Sequence, residues 1–141
     1  MERVTEWIIF KGIRGKGKMI LLLEDDAIKG SHELQAIREV QSSDVRWEKK
    51  LADGIAALQE EEVEWVLLDM YFPLEKGEPI WPECGLRFLR EIRELGYGDT
   101  PVIVCSTVQM RLPSYENVLD CICYREGMLL EEELRNILSS R

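Results

Sequence analysis

Five short apolar runs, separated by stretches of helical periodicity, most constrain what this chain can fold into. Met19–Leu23 and Val102–Cys105 are continuously apolar, Val63–Leu68 is apolar apart from Glu64, and Val118–Tyr124 is apolar apart from Asp120. Val45 and Trp47 mark a further, more exposed strand between the first two. Strands that are apolar without alternation suit a parallel sheet covered on both faces, because an antiparallel sheet wetted on one side alternates apolar with polar residues.

The intervening segments read as helices. Leu34, Ile37 and Val40 recur at helical spacing, and Ile55 and Leu58 form the inner face of a short helix ending in Glu60–Glu62. Phe88, Ile92 and Leu95 share a face of the next helix, which Gly96 is placed to terminate. Leu130, Leu134, Ile137 and Leu138 line the last. Strands alternating with amphipathic helices imply βαβ units with right-handed crossovers, and so a single α/β sandwich. Residues 19–141 form that domain. Residues 1–18 stand apart as an appendage, with a candidate strand at Val4–Phe10 and a basic Gly/Lys link after it.

Composition narrows the function classes. With 45% hydrophobic residues the 141-residue chain can bury a core of one domain. Its 27 acidic against 18 basic side chains give a net charge of −9, which argues against charge-driven binding to nucleic acid or to an anionic membrane and leaves room for divalent cations. No apolar run is long enough to span a bilayer, and no secretory signal opens the chain. Cys84, Cys105, Cys121 and Cys123 lie in or beside apolar segments, which points to a reducing cytoplasm and not to a disulfide framework. The pair Cys121 and Cys123 reads as small buried side chains, and His32 as a surface residue on a helix.

The chemistry concentrates at the strand ends. In an open parallel sheet, ligands bind beyond the carboxyl ends of the strands. The first run ends in Glu24-Asp25-Asp26, the third in Asp69, and the fourth in Ser106-Thr107. Carboxylates converging on one small pocket repel one another and need a compensating charge, which a bound Mg²⁺ would supply.

Taken in order, Ile20-Leu21-Leu22-Leu23-Glu24-Asp25-Asp26, Val66-Leu67-Leu68-Asp69-Met70-Tyr71-Phe72-Pro73 and Thr100-Pro101-Val102-Ile103-Val104-Cys105-Ser106 resemble the receiver domain of two-component response regulators. The resemblance spans roughly residues 19–138. It implies a flavodoxin-like (βα)5 three-layer sandwich with a parallel sheet of order 2-1-3-4-5. It further implies that Asp69 accepts a phosphoryl group from a phosphohistidine on a histidine kinase or phosphotransfer protein. Glu24, Asp25, Asp69 and the backbone carbonyl of Tyr71 would ligate Mg²⁺, and Ser106 would hydrogen-bond a phosphoryl oxygen.

Three departures accompany the resemblance. The family places a Lys at the end of its fifth strand, whereas this chain has no Lys after Lys76, and the position falls on Tyr124 or Arg125. Arg125 is a candidate substitute, although a planar guanidinium is not equivalent to a compact ammonium. The loop Leu74–Cys84 is longer than in receivers and carries Trp81 between Pro79 and Pro82, as a lid or as a partner contact. The segment Val108–Asn117, which contains Pro113, predicts an irregular fourth helix.

The leading expectation is a stand-alone receiver, a signalling domain and not an enzyme, with a protein as its downstream partner. The alternative is a pseudo-receiver that works as a phosphorylation-independent interaction module. A Mg²⁺-dependent phosphatase ranks last, since the second acid usual two residues after the nucleophile is replaced by Tyr71. The Val4–Phe10 strand, as an edge seeking a partner, suggests a homodimer.

Overall fold

A computed structural model describes residues 18–73, 80–81, 84–108 and 115–140. The expectations for Val4–Phe10, for most of the Leu74–Cys84 loop and for the middle of Val108–Asn117 lie outside the described residues.

Among the described residues eleven elements follow in order: β1 (Met19–Leu23), α1 (Ala27–Val40), β2 (Asp44–Glu48), α2 (Leu51–Glu60), β3 (Val63–Leu68), β4 (Phe72–Pro73), β5 (Ile80–Trp81), α3 (Cys84–Glu94), β6 (Val102–Ser106), β7 (Val118–Cys123) and α4 (Leu130–Ser139). Five strands pair in parallel in the order β2-β1-β3-β6-β7, which is the predicted 2-1-3-4-5 order. The two short strands β4 and β5 pair antiparallel, Phe72 opposite Trp81, and so bring the ends of the long loop together.

Burial explains the sequence pattern. All five residues of β1 and all five of β6 are buried, as central strands covered on both faces require. The edge strand β2 is half-buried along its length. Leu21, Leu23, Val66, Leu68 and Val104 pack against Leu58, Phe88 and Ile92 of α2 and α3. On the opposite face Ile20, Leu22, Leu67, Ile103 and Ile122 pack against Ile37 of α1 and Leu130 and Leu134 of α4.

Four positions differ from expectation. Leu95 lies past the end of α3 and is 50% exposed, because Gly96 at φ 96° turns the chain away. Cys121 and Cys123 are exposed free thiols: edge strand β7 buries only Ile122 toward α4, so its oppositely directed neighbours face outward. His32 is half-buried, and its Nδ1 lies 2.7 Å from the Tyr124 hydroxyl.

One glycine sets how closely α1 meets the sheet. A Cβ on Gly30 would lie 2.1 Å from Cζ2 of Trp47, whose indole N–H donates to the Glu24 carbonyl at 2.9 Å. Replacement by alanine must therefore push a half-buried indole off the end of β1. Gly30→Ala should cost about 1–3 kcal/mol in urea unfolding and shift Trp47 emission to the red, whereas an unchanged midpoint would show that the ring moves freely.

Candidate functional site

The carboxyl ends of β1, β3 and β6 meet on the α1 side of the sheet. Backbone hydrogen bonds carry the pairing past the strands: Asp69 N–H donates to the Leu23 carbonyl at 2.9 Å and Glu24 N–H to the Glu48 carbonyl at 3.0 Å. Side chains alternate across a strand, so Glu24 continues the Ile20, Leu22 series and Asp69 the Trp65, Leu67 series, both toward α1. Glu24 is 1% exposed and Asp69 7%. Ser106 is buried too, its Oγ accepting the Val108 N–H at 3.2 Å.

Between Glu24 and Asp69 sits an ammonium that the sequence did not point out. Lys29 Nζ donates to Glu24 Oε1 at 2.5 Å, to the Cys105 carbonyl at 2.7 Å and to Asp69 Oδ1 at 3.3 Å. Its side chain is 6% exposed. Asp26 places it there by capping α1: one carboxylate oxygen accepts the N–H groups of Ile28 and Lys29, both at 2.9 Å. One helical turn on, Glu33 is fully buried, with Oε2 3.4 Å from the same Nζ. An ammonium has three protons, and the three bonds above use them, so Glu33 pairs with it by charge and not by a hydrogen bond.

Signal for Lys29 and Glu33 was present in the sequence. Stepping back from Ile37 by four gives Glu33 and then Lys29, the inward face of α1 together with Gly30 and Ala36. Leu34, expected on that face, is only half-buried at its margin. Charged residues on an otherwise apolar stripe read as an interruption of it, so apolar spacing alone sets the inward face too far toward Leu34.

The remaining predicted residues are dispersed. Asp25 is half-buried beside Glu24. Tyr71 is half-buried against the α2–α3 core. Arg125 is exposed, and its backbone N–H donates to Met128 Sδ. Tyr124, the other residue at the position of the family's lysine, lays its ring 5.5 Å from Lys29 Nζ and is held by His32. Near Asp69, Gly85 at the start of α3 donates to the Met70 carbonyl at 3.1 Å, and a Cβ there would lie 2.8 Å from Met70 Cα, so only glycine fits so close behind the acid.

The electrostatics follow from three buried carboxyls around one cation. Burial lifts the Asp69 carboxyl from 3.8 to about 7, with Lys29 opposing and Glu24 adding to the rise. Burial likewise lifts Glu24 from 4.5 to about 8, with Glu33 adding and Lys29 opposing, and it raises Glu33 against the pull of Lys29. For Lys29, burial would lower the ammonium, but Glu33, Glu24 and Asp69 outweigh it and hold it above its ordinary value. Among the described residues no group of three or more His, Cys, Asp or Glu side chains is arranged to hold a metal ion.

A pH dependence of known sign results. Carboxyls that titrate higher in the folded state bind more protons there than in the unfolded chain. The stability they contribute is fully present below the unfolded values of 3.8 and 4.5 and is lost as pH rises through about 7 and about 8. Urea midpoints should therefore fall between about pH 5 and about pH 8, and fall less in Glu33→Gln; a midpoint rising across that window would contradict the pocket as drawn.

No protein-family model matches this sequence, and no curated protein matches it. Solved structures do. The chain is similar to the Mn²⁺-bound form of the response regulator Rcp1 at 22% identity and a TM-score of 0.66, over 86% of this chain and 92% of that one. A two-component response regulator from Legionella pneumophila matches at 20% identity and 0.64, over 88% and 99%. A CheY-like receiver domain from Methylobacillus flagellatus matches at 15% identity and 0.62, over 85% and 98%. With the five-stranded order β2-β1-β3-β6-β7 and acidic residues at the ends of β1 and β3, the fold of this chain is that of response-regulator receiver domains.

Proposed function

We propose that this protein is a signal receiver whose Asp69 accepts a phosphoryl group from a phosphohistidine of a histidine kinase or phosphotransfer protein. The observation that carries this reading is the position of Asp69: at the end of the central strand β3, beside the ends of β1 and β6, with a cation 3.3 Å from its carboxylate. That is where an open parallel sheet places its ligands.

In the transfer, an Asp69 carboxylate oxygen bonds to phosphorus as the phosphorus–nitrogen bond of the donor breaks. The electron pair of that bond returns to the imidazole, which takes up a proton and leaves neutral. The transferring group is negatively charged and approaches a carboxylate, so the step depends on fixed positive charge. Lys29 Nζ supplies such charge at Asp69 Oδ1. The Ser106 hydroxyl, at the end of the neighbouring strand β6, is the candidate hydrogen-bond donor to a phosphoryl oxygen. Arg125, exposed after β7, is left as an arriving contact for the phosphoryl group or the donor. The role is that of a signalling domain passing its state to a downstream protein, in a reducing cytoplasm that four free cysteines suit.

A divalent cation was expected on Glu24, Asp25, Asp69 and the Tyr71 carbonyl. The donor set as arranged does not fit one, because the ammonium of Lys29 already lies between Glu24 and Asp69.

Incubation with acetyl phosphate followed by intact-mass measurement tests the reading. A phosphate adduct should form on the wild type and be absent from Asp69→Asn. An adduct of equal yield on both proteins, or on neither while both remain folded, would overturn it.

A further inference from the structure

The pocket contains more acid than its cation can satisfy, and that imbalance bears on what else can enter. Lys29 Nζ is within 3.4 Å of four oxygens, from Glu24, Cys105, Asp69 and Glu33, and hydrogen-bonds to only the first three. Glu33 is buried with one carboxylate oxygen directed at the same nitrogen. The ammonium is compact and well hydrated in solution, and taking it out of water costs several kcal/mol unless surrounding oxygens compensate. Here the compensating oxygens are those that a cation site at the end of a parallel sheet would offer.

We propose that the Lys29 ammonium is the resident cation of this pocket, and that a divalent ion enters only by displacing it. The two exclude each other sterically. A small divalent ion requires oxygen ligands at about 2.0–2.1 Å in near-octahedral array, which leaves no room for a nitrogen in the same space. Lys29 Nζ stands 2.5 Å from Glu24 Oε1, the oxygen a metal would need. They also compete through charge, since the negative charge of Glu24 and Asp69 that offsets the ammonium is the charge a divalent ion would need. The stem of Lys29 is held in place from two sides. Its backbone is fixed by the Asp26 cap, and the Tyr124 ring, tied to His32, flanks the ammonium. Glu33 gives the displaced ammonium a second carboxylate one turn along the same helix, so displacement need not leave it unpaired. Metal occupancy is thereby set by one side chain of α1, in competition with the ion.

This inference rests on reading the pocket as the cation and phosphoryl site of a receiver, but not on phosphoryl transfer itself. Its test is a titration with Mn²⁺ alone, the free ion being counted by electron paramagnetic resonance, on wild type, Lys29→Met and the double variant Lys29→Met/Glu33→Gln. The double variant removes one buried carboxylate along with the ammonium, and it decides the matter if the single variant does not fold. Either folded variant should bind Mn²⁺ about tenfold more tightly than wild type, or better. A smaller gain, or no detectable binding by a folded variant, overturns the proposal. Because the readout is bound Mn²⁺, a protein that gives no phosphate adduct yet shows the tenfold gain would refute the acceptor role and leave the competition standing.

Discussion

Burial of one ammonium among three carboxylates is the interaction on which the rest of the site depends. Glu24, Glu33 and Asp69 come from the end of β1, from α1 and from the end of β3, and Lys29 contacts all of them. Without it, three buried acids would face one another in a region sealed by apolar side chains, an arrangement that proteins relieve by protonation or by unfolding. Burial lifts the Asp69 and Glu24 carboxyls even with Lys29 opposing the rise.

Reaching that position requires α1 to approach the sheet closely and to start at a defined residue. Asp26 fixes the start by capping the helix, and the missing side chain at Gly30 lets the Trp47 indole lie against it and bond to the Glu24 carbonyl. The same tryptophan thus steadies both α1 and the end of β1. On the far side of the acceptor, Gly85 allows α3 to begin against the backbone of Asp69 and Met70. Two glycines, one on each face, let helices close on the strand ends that carry the acids.

Much of the fold was legible. Continuous apolar runs located β1, β3 and β6, because central parallel strands are buried on both faces and have no polar side to show. Acids at the ends of β1 and β3 located the pocket, since strand ends in such sheets face the ligand. What escaped was the inward face of α1. Leu34, Ile37 and Val40 are apolar at helical spacing, but the helix turns Lys29, Glu33, Ala36 and Ile37 inward, so that two charged residues occupy core positions. Periodicity assigns charge to solvent, and it fails where the core itself contains an ion pair. The thiols of Cys121 and Cys123 escaped for the converse reason: an apolar run suggests burial, but an edge strand covers only one of its faces.

By itself, the sequence determined that a parallel sheet forms, the succession of strands and helices along the chain, and the presence of carboxylates at the ends of two strands, because these depend on local periodicity and on short-range chain geometry. Tertiary structure alone decided which cation those carboxylates meet. Lys29 is 40 residues from Asp69 and 76 from Cys105, and the three come together only when β1, β3 and β6 pair and α1 folds back across them. A lysine in a linear sequence shows its charge but not the dielectric it will occupy. Only the packed structure shows that this one lies out of water, between the acids that define the site.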